Sequence, residues 1–132
     1  MKLVAAAIII SRGKVLIARR RQGDSHQGYW EFPGGAVKRG ETIEECLERE
    51  LQEELGVGAT AGEIIAESES RAGRASLKLI ALLARVDGDQ FTLTAHDTVL
   101  WVRPRELLRY RLAPADIPIA KTLQGRADLF RG

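Results

Sequence analysis

The chain has 132 residues, a length that allows one domain with a substantial hydrophobic core. Its 45% hydrophobic and 29% charged residues are typical of a soluble globular protein, and a net charge of +2 gives no indication of a nucleic-acid polymer as partner. The single cysteine, Cys46, excludes an intramolecular disulfide, as in proteins of a reducing compartment, so we expect a cytoplasmic protein.

The first apolar segment, residues 3–10, predicts a buried strand with hydrophobic side chains on both faces. It is far shorter than the roughly 20 apolar residues that span a bilayer, so we expect no membrane contact. Lys2 and this segment also resemble the start of a signal peptide, but no small-residue cleavage site follows. Residues 11–14 instead predict a turn, and residues 14–20 return as a second strand.

A polar loop with two glycines, residues 21–28, precedes a short aromatic strand at residues 29–32. That strand ends at Pro33-Gly34-Gly35, where the two glycines permit a close approach of the backbone. The loop and the glycines therefore mark a change of chain direction before the first helix.

The first predicted helix is bounded by recognisable caps. Thr42 is a good N-cap, and Glu45 completes a capping box three residues later. The helix is expected to end near Leu55, because Gly56 follows as a C-cap.

The remaining elements follow from alternation and turn residues. Strands are predicted at residues 64–68, 77–86, 91–94 and 99–102, with helices at 105–108 and 116–123. This order of strands and helices indicates an α/β fold with a mixed β-sheet sandwiched between helices. With no repeat or linker, we expect a single domain over residues 1–132.

The most informative segment is an acidic cluster on the first helix. Seven of the chain's 18 acidic residues lie between Glu41 and Glu54, offset only by Arg49. Like charges three and four positions apart on a helix repel by a few tenths of a kcal/mol per pair, so selection for stability alone would dilute them. At 100° per residue, Glu50 and Glu54 stack at the edge of an apolar stripe, with Glu53 beside them.

Converging carboxylates of this kind suit Mg²⁺ or Mn²⁺, which keep several waters and bridge to phosphate oxygens. The alternative is an acidic helix face that is simply solvated. We expect that alternative for three glutamates on the far side of the helix: Glu44, Glu45 and Glu48.

The spacing of the segment matches the Nudix box, G-x5-E-x7-R-E-U-x-E-E-x-G-U with U aliphatic, at every fixed position. The matching residues are Gly35, Glu41, Arg49, Glu50, Leu51, Glu53, Glu54, Gly56 and Val57. Residues 17–20, 30–35 and 112–118 resemble the MutT-type branch and the related bacterial CTP pyrophosphohydrolases. On these motifs the chain is identified as a member of the Nudix hydrolase family, which implies the Nudix fold.

The resemblance also implies roles for the box residues. Metal ligands would be Glu50, Glu53 and Glu54 with a carbonyl of the Gly34-Gly35 loop, and catalytic residues would be Glu53, Glu50, Arg49 and Glu41. Arg49 would hold the box carboxylates, and its alternative is an ordinary surface ion pair. Glu41 would brace the loop, although an acid before a helix is also favoured by the helix dipole.

MutT-type enzymes recruit a further carboxylate from a later loop, and Asp97 is the candidate metal ligand here. The alternative for Asp97 is a plain turn aspartate. His96 is expected to be a loop residue rather than a ligand.

Three residues outside the box match substrate-binding positions of the family: Arg20, Glu31 and Asp116. Strand alternation places Arg19 and Arg20 on opposite faces, so only one of them is expected to point inward. Glu31 could instead be an exposed strand residue. Asp116 stands where the 8-oxoguanine hydrolase pattern has an Asn, and it could instead be an N-cap of the last helix.

The resemblance implies a metal-dependent nucleoside triphosphate pyrophosphohydrolase that releases nucleoside monophosphate and pyrophosphate. A role in nucleotide pool sanitisation and DNA repair, on oxidised or modified nucleotides such as 8-oxo-dGTP, is the leading expectation. The alternatives are a pyrimidine (CTP or modified dCTP) pyrophosphohydrolase, an ADP-ribose hydrolase, and a non-catalytic nucleotide-binding module. The expected partners are a nucleotide and Mg²⁺ or Mn²⁺, with the chain a monomer or homodimer.

Overall fold

The computed structural model describes residues 1–72 and 74–131. Its strands, in chain order, are β1 (Lys2–Ile8), β2 (Ile10–Ser11), β3 (Lys14–Arg20), β4 (Trp30–Glu31), β5 (Gly34–Ala36), β6 (Ala59–Ala72), β7 (Ala75–Val86) and β8 (His96–Val102). The helices in these residues are α1 (Ile43–Leu55), α2 (Asp116–Gln124) and the 3₁₀ segments Pro104–Arg109 and Ala127–Phe130. None of the helices in the described part is long and apolar enough to cross a membrane.

The strands of this part of the chain form two sheets. In the first sheet, of order β5-β1-β7-β6, β1 runs parallel to β7 and antiparallel to β5, so the sheet is mixed. In the second sheet, β3 pairs with β8 and with the short strands β2 and β4. The predicted α/β architecture, with a mixed sheet and packed helices, is confirmed.

Alternate residues of β1 face two different hydrophobic cores. Ala5 and Ala7 belong to the core that contains Leu51 of α1. Ile8 belongs to the other core, together with Ile119 of α2. Because both faces of β1 are covered, its sequence after Lys2 is continuously apolar rather than alternating.

The caps of α1 are as predicted. Thr42 Oγ1 accepts a hydrogen bond from the Glu45 backbone N–H, and Glu45 Oε1 accepts one from the Thr42 N–H. Gly56 ends the helix at φ 65°, a left-handed conformation that favours glycine. These caps fix the start of the helix next to the glycine loop.

The predicted strand at residues 91–94 is wrong. Phe91 and Leu93 pack onto the core beneath α1, but their segment has no strand partner in the described residues. The Thr92 N–H donates to the Leu55 carbonyl and the Thr94 N–H to the Glu54 carbonyl. The segment therefore satisfies carbonyls at the end of α1 that have no partner within the helix.

Other boundaries also differ from the prediction: β8 begins three residues earlier than expected, and β5 was not predicted. The strand expected at residues 64–68 is β6, which is much longer and pairs with β7 along most of its length. Its outer residues are polar because β6 is the last strand of its sheet, so apolar alternation did not reveal them. Asp116 is the first residue of α2 rather than its N-cap, a position that belongs to Ala115.

Candidate active site

A cavity of about 600 Å³ lies where β1, β5 and the segment before α2 meet. Gly34 and Gly35, predicted as a loop, are the first two residues of β5, and we keep the name glycine loop for them. Its ionisable lining residues are Lys2, Arg20, His26, Glu31, Glu50, Glu54 and Asp116. The cavity therefore combines two of the box glutamates with all three residues predicted outside the box to contact substrate. Its volume is within the usual range for small-molecule sites.

One side of this site is an ionic network around Arg49. We call Glu41, Arg49, Glu50 and Glu53 the Arg49 network. Arg49 Nε and Nη2 donate to the two oxygens of Glu41 at 2.6 and 3.0 Å. Arg49 Nη1 donates to Glu50 at 2.7 Å and to Glu53 at 3.3 Å. The guanidinium thus joins three carboxylates and is not an isolated surface ion pair.

Glu41 ties this network to the preceding loop. Its Oε1 also accepts a hydrogen bond from the Lys38 backbone N–H at 2.8 Å. The hydrogen bonds from Arg49, followed by the one from Lys38, lower the pKa of Glu41 to about 2. Arg49 Nη2 donates to the Ala36 carbonyl as well, so the network holds the segment that follows the two glycines at two points, Ala36 and Lys38.

The two glycines of the loop are required by close contacts. A Cβ added at Gly34 would overlap the Ala5 carbonyl, and one added at Gly35 would overlap the Glu50 carboxylate. The Gly34 N–H donates to Glu54 Oε1 at 3.2 Å. The absence of side chains here thus lets the loop backbone lie directly against the box carboxylates.

Glu54 differs from the other box glutamates in its surroundings. Its side chain is only 12% exposed, whereas that of Glu53 is 55% exposed. Burial is the main cause that raises the pKa of Glu54 to about 8, with the charges of Glu31 and Glu50 adding to it. A divalent cation beside Glu54 would oppose this effect and favour its ionised form.

The other side of the site is a group of buried and partly buried side chains. We call Arg20, Glu31, Glu54, His96 and Asp116 the buried cluster. Arg20 Nη1 donates to Glu31 Oε2 at 3.1 Å and lies 3.8 Å from Glu54 Oε2. His96 Nε2 is 2.9 Å from the same Glu31 oxygen, and the His96 side chain is fully buried.

The ligand atoms of three members of the buried cluster, Glu31, Glu54 and His96, all lie within 4.8 Å of one another. A metal ion could be held there by these groups. Arg20 already places a cationic guanidinium against Glu31 and near Glu54, however. Arg20 therefore supplies positive charge at the point where such an ion would lie.

Asp116 is buried at the cavity wall rather than at a helix cap. Its Oδ1 accepts a hydrogen bond from the Phe32 backbone N–H at 3.1 Å. Burial, followed by the charge of Glu31, raises the pKa of Asp116 to about 8. The alternative of an N-cap is contradicted, because the N-cap of α2 is Ala115 and no side chain caps that end.

Asp97 is not brought to the box carboxylates. Its carboxylate accepts a hydrogen bond from Arg19 Nε at 2.8 Å, and Asp97 is not among the residues that line the cavity. The predicted opposition of Arg19 and Arg20 is confirmed, since Arg20 lines the cavity and Arg19 lies over the Trp30 ring. The metal-ligand role of Asp97 stays a prediction, which its ion pair with Arg19 does not support.

Asp97 pairs with Arg19 outside the cavity because the pairing of β3 with β8 has a one-residue irregularity. Arg19 pairs with Thr98 but Arg20 pairs with His96, so Asp97 is an extra residue between two pairs. A bulge of this kind changes which side chain faces the site. His96, expected to be a loop residue, takes the inward position opposite Arg20, and no local sequence pattern identifies it.

Comparison with known proteins identifies the family. The family model described as NUDIX domain matches residues 1–123. The CTP pyrophosphohydrolase of Escherichia coli is 42% identical over 118 residues, covering 88% of this chain and 86% of the relative. The putative 8-oxo-dGTP diphosphatase 2 of Mycobacterium tuberculosis is 33% identical over 138 residues, covering 98% and 96% of the two chains.

Comparison with solved structures supports the same family. The solution structure of the E. coli ORF135 protein superposes with a TM-score of 0.83 at 38% identity, covering 96% of this chain and 90% of that one. The similarity thus extends through both sheets and both cores, well beyond the acidic helix. With Gly35, Glu50 and Glu54 of the box at one cavity and a family model that covers nearly the whole chain, this protein belongs to the Nudix hydrolase family.

Proposed function

We propose that this protein hydrolyses a nucleoside triphosphate to the monophosphate and pyrophosphate, with Mg²⁺ or Mn²⁺ held by Glu50, Glu53 and Glu54. The observation that carries the proposal is the shared cavity. Glu50 and Glu54 line the same space as Arg20, Glu31 and Asp116, so a ligand there contacts the acidic helix and the buried cluster together.

The residues present fit a divalent metal. Three carboxylates of one helix offer hard oxygen ligands, and Gly35 leaves room for the Glu50 carboxylate against the loop backbone. A carbonyl of the Gly34-Gly35 loop would complete the ligand set. A metal bound there would lower the pKa of a water and neutralise charge that develops on the phosphates.

The protein's own groups orient this site. Arg49 fixes Glu50 and Glu53 through one nitrogen, Nη1, so these carboxylates have a defined separation. One of them accepts the proton of the attacking water as general base. Glu41 keeps the Arg49 guanidinium in its plane through two parallel hydrogen bonds.

The base is proposed to lie between Glu31 and Asp116. Within the described residues, Glu31 Oε1 and Asp116 Oδ2 have no hydrogen-bond partner from the protein, and both residues line the cavity. Because its pKa is raised to about 8, Asp116 is mostly protonated at pH 7 and can donate from Oδ2. The pair therefore offers one acceptor and one donor.

An acceptor and a donor side by side discriminate between base edges. At the N7/O6 edge, the N7–H and O6 of an oxidised guanine match this pair, whereas guanine presents two acceptors there. The N1–H and O6 edge that both bases share also matches the pair, so discrimination requires that the base enters with its N7/O6 edge toward Glu31 and Asp116. The N4 amine and N3 of cytosine match it equally. A mismatch leaves a buried polar group unpaired, which costs about 1–3 kcal/mol. An oxidised purine triphosphate is the first candidate substrate, and a cytosine triphosphate is the second.

The second candidate is favoured by a specific observation. The E. coli relative at 42% identity is named CTP pyrophosphohydrolase, and the chain covers 86% of its length. The M. tuberculosis relative named putative 8-oxo-dGTP diphosphatase 2 is less similar, at 33% identity.

A panel of purified nucleotides tests the proposal. With Mg²⁺ present, kcat/KM should be highest for 8-oxo-dGTP or for CTP and dCTP, and lower for dGTP and ADP-ribose. EDTA should abolish turnover. Full activity in EDTA would exclude the metal mechanism. Preference for ADP-ribose would replace the triphosphate assignment, and tight nucleotide binding without turnover would indicate a binding module.

The position of attack is a separate test. The MutT-like resemblance predicts attack at the β-phosphorus, so hydrolysis in ¹⁸O-labelled water should place the label in pyrophosphate. Label in the monophosphate would show attack at the α-phosphorus instead.

A further inference from the structure

His96 combines two unfavourable local features. Its side chain is fully buried, and its Nδ1 has no hydrogen-bond partner within residues 1–72 and 74–131. It also begins β8 beside the irregular pairing that leaves Asp97 outside the regular register. An unpaired buried nitrogen costs about 1–3 kcal/mol, so a fold selected only for stability would place an apolar residue there.

The Nε2 atom of the same ring makes the compensating contact. It lies 2.9 Å from Glu31 Oε2. With the proton on Nε2, the ring donates to the carboxylate and leaves Nδ1 as an unpaired acceptor. The other tautomer would place a lone pair against the carboxylate and leave an N–H unpaired, so we assign the proton to Nε2.

Both donors to Glu31 engage one oxygen. Arg20 Nη1 donates to Oε2 at 3.1 Å, and His96 Nε2 donates to it at 2.9 Å. The two donors come from neighbouring strands, since Arg20 and His96 are a cross-strand pair of β3 and β8. Together they fix the plane of the carboxylate. Within the described residues, Oε1 is then the oxygen left for a ligand in the cavity.

We propose that His96 is a positioning residue for base selectivity, which acts by holding Glu31 with Oε1 directed to the base. This inference rests on the proposed base-reading role of Glu31. His96 itself does not touch the substrate, because its buried ring is turned to Glu31 and does not line the cavity. The bulge at Asp97 belongs to the same arrangement, since it places His96 opposite Arg20.

If His96 positions Glu31, its replacement should weaken the preference for one base and leave kcat largely unchanged. Without the Nε2 donor, Glu31 keeps the Arg20 contact but can rotate about it, so its Oε1 no longer has one position. The ratio of kcat/KM for the preferred base over the next best should fall roughly tenfold, the loss expected for a hydrogen bond to a charged group. KM should account for most of the loss, because the Arg49 network is unchanged.

The test compares His96→Phe, which keeps the ring but has no donor, with His96→Gln, whose amide nitrogen reaches about as far as Nε2. The Phe variant should lose the base preference, and the Gln variant should recover it to within about threefold of the parent. In a Glu31→Ala background, His96→Phe should cause no further loss of preference. Should the Phe variant fail to fold, His96→Asn replaces it, because its amide is too short to reach Glu31.

The outcomes separate this inference from the proposed function. If Glu31→Ala leaves the ranking of bases unchanged, or no nucleotide is hydrolysed, the base-reading role and the inference are both overturned. If Glu31→Ala changes the ranking but folded His96→Phe does not, only the positioning role of His96 is overturned. An equal loss of kcat on all substrates without recovery in His96→Gln would also overturn it, as the mark of a purely structural residue.

Discussion

The two sides of the active-site cavity use the same residue types in opposite ways. In the Arg49 network, a guanidinium faces three carboxylates and lowers the pKa of Glu41 to about 2. In the buried cluster, removal from water dominates and raises the pKa of Glu54 and Asp116 to about 8. The sign of the shift thus depends on whether an arginine or desolvation prevails.

This contrast suggests a division of labour. The Arg49 network provides carboxylates with fixed positions, and such carboxylates are suited to metal binding and proton acceptance. A protonated carboxylic acid beside a carboxylate can present a donor and an acceptor, which suits recognition of a base. Glu54 belongs to the buried cluster by its surroundings and to the acidic helix by its position, so it joins the two sides.

The largest loss of activity is expected at Glu53, which belongs to the Arg49 network and is a proposed metal ligand. Glu53→Gln should lower kcat by roughly 10²–10⁴-fold, because an amide neither accepts the proton nor holds the cation as well. Glu44→Gln on the exposed face of the same helix is the matched control and should leave kcat unchanged. Steady-state kinetics with Mg²⁺ and a thermal melt of each variant make the comparison. A Glu53→Gln enzyme as fast as the parent would remove Glu53 from the mechanism.

A smaller loss of activity is expected when Arg49 is replaced by lysine, which keeps the positive charge but lacks the planar guanidinium with its several donors. Arg49→Lys cannot hold both oxygens of Glu41 and also reach Glu50 and Glu53, so the carboxylates lose their orientation. We expect a 10–100-fold loss of activity and a higher Mg²⁺ requirement. Exposed Arg39→Lys serves as the control. Unchanged activity and Mg²⁺ dependence in Arg49→Lys would show that a point charge is sufficient.

The two sides also differ in how far the sequence could predict them. The Arg49 network lies within one short segment, so spacing on a helix and the family motif were enough to place Glu50 beside Glu53 and Glu54. The capping box and Gly56 then fixed the ends of that helix, as the structure confirms. Local interactions of this kind depend on neighbours a few residues away, which a sequence displays directly.

The buried cluster is assembled from distant segments, and here the sequence was less informative. Arg20, Glu31 and Asp116 were identified by resemblance alone. His96 was missed and Asp97 was preferred, because a single extra residue in β8 exchanges the side chain that lies opposite Arg20. No local pattern reveals such a bulge. The same holds for residues 91–94, whose backbone bonds go to the end of α1.

The pH dependence of the free energy of unfolding tests the raised pKa of Asp116 in the buried cluster. Folding raises the pKa of Asp116 from 3.8 to about 8, so its contribution to stability is complete below pH 4 and is lost as the pH rises to about 8. Asp116→Asn cannot ionise. Its free energy of unfolding relative to the parent should therefore rise by roughly 1–3 kcal/mol between pH 5 and 7, since one pKa unit corresponds to about 1.4 kcal/mol.

Urea denaturation of the metal-free protein at several pH values measures this difference. Asp128→Asn is the control, because Asp128 is exposed and its pKa is lowered by Arg126. The free energy of unfolding of Asp128→Asn relative to the parent should not rise between pH 5 and 7. Asp116→Asn should also change the ranking of bases. A pH-independent difference in stability would mean that Asp116 is ionised in the folded protein, and an unchanged ranking would remove its base-reading role.

The smallest effect is expected at the residue that the bulge turns away from the site. Asp97 is 40% exposed and pairs with Arg19, and exposed pairs of this type contribute about 0–1 kcal/mol. Asp97→Asn should therefore change kcat/KM by less than about threefold and leave the Mg²⁺ dependence as it is. Arg19→Gln, which removes the other partner, should behave in the same way. A loss of Mg²⁺ affinity in Asp97→Asn alone would show that Asp97 takes part in metal binding, as the family resemblance predicts.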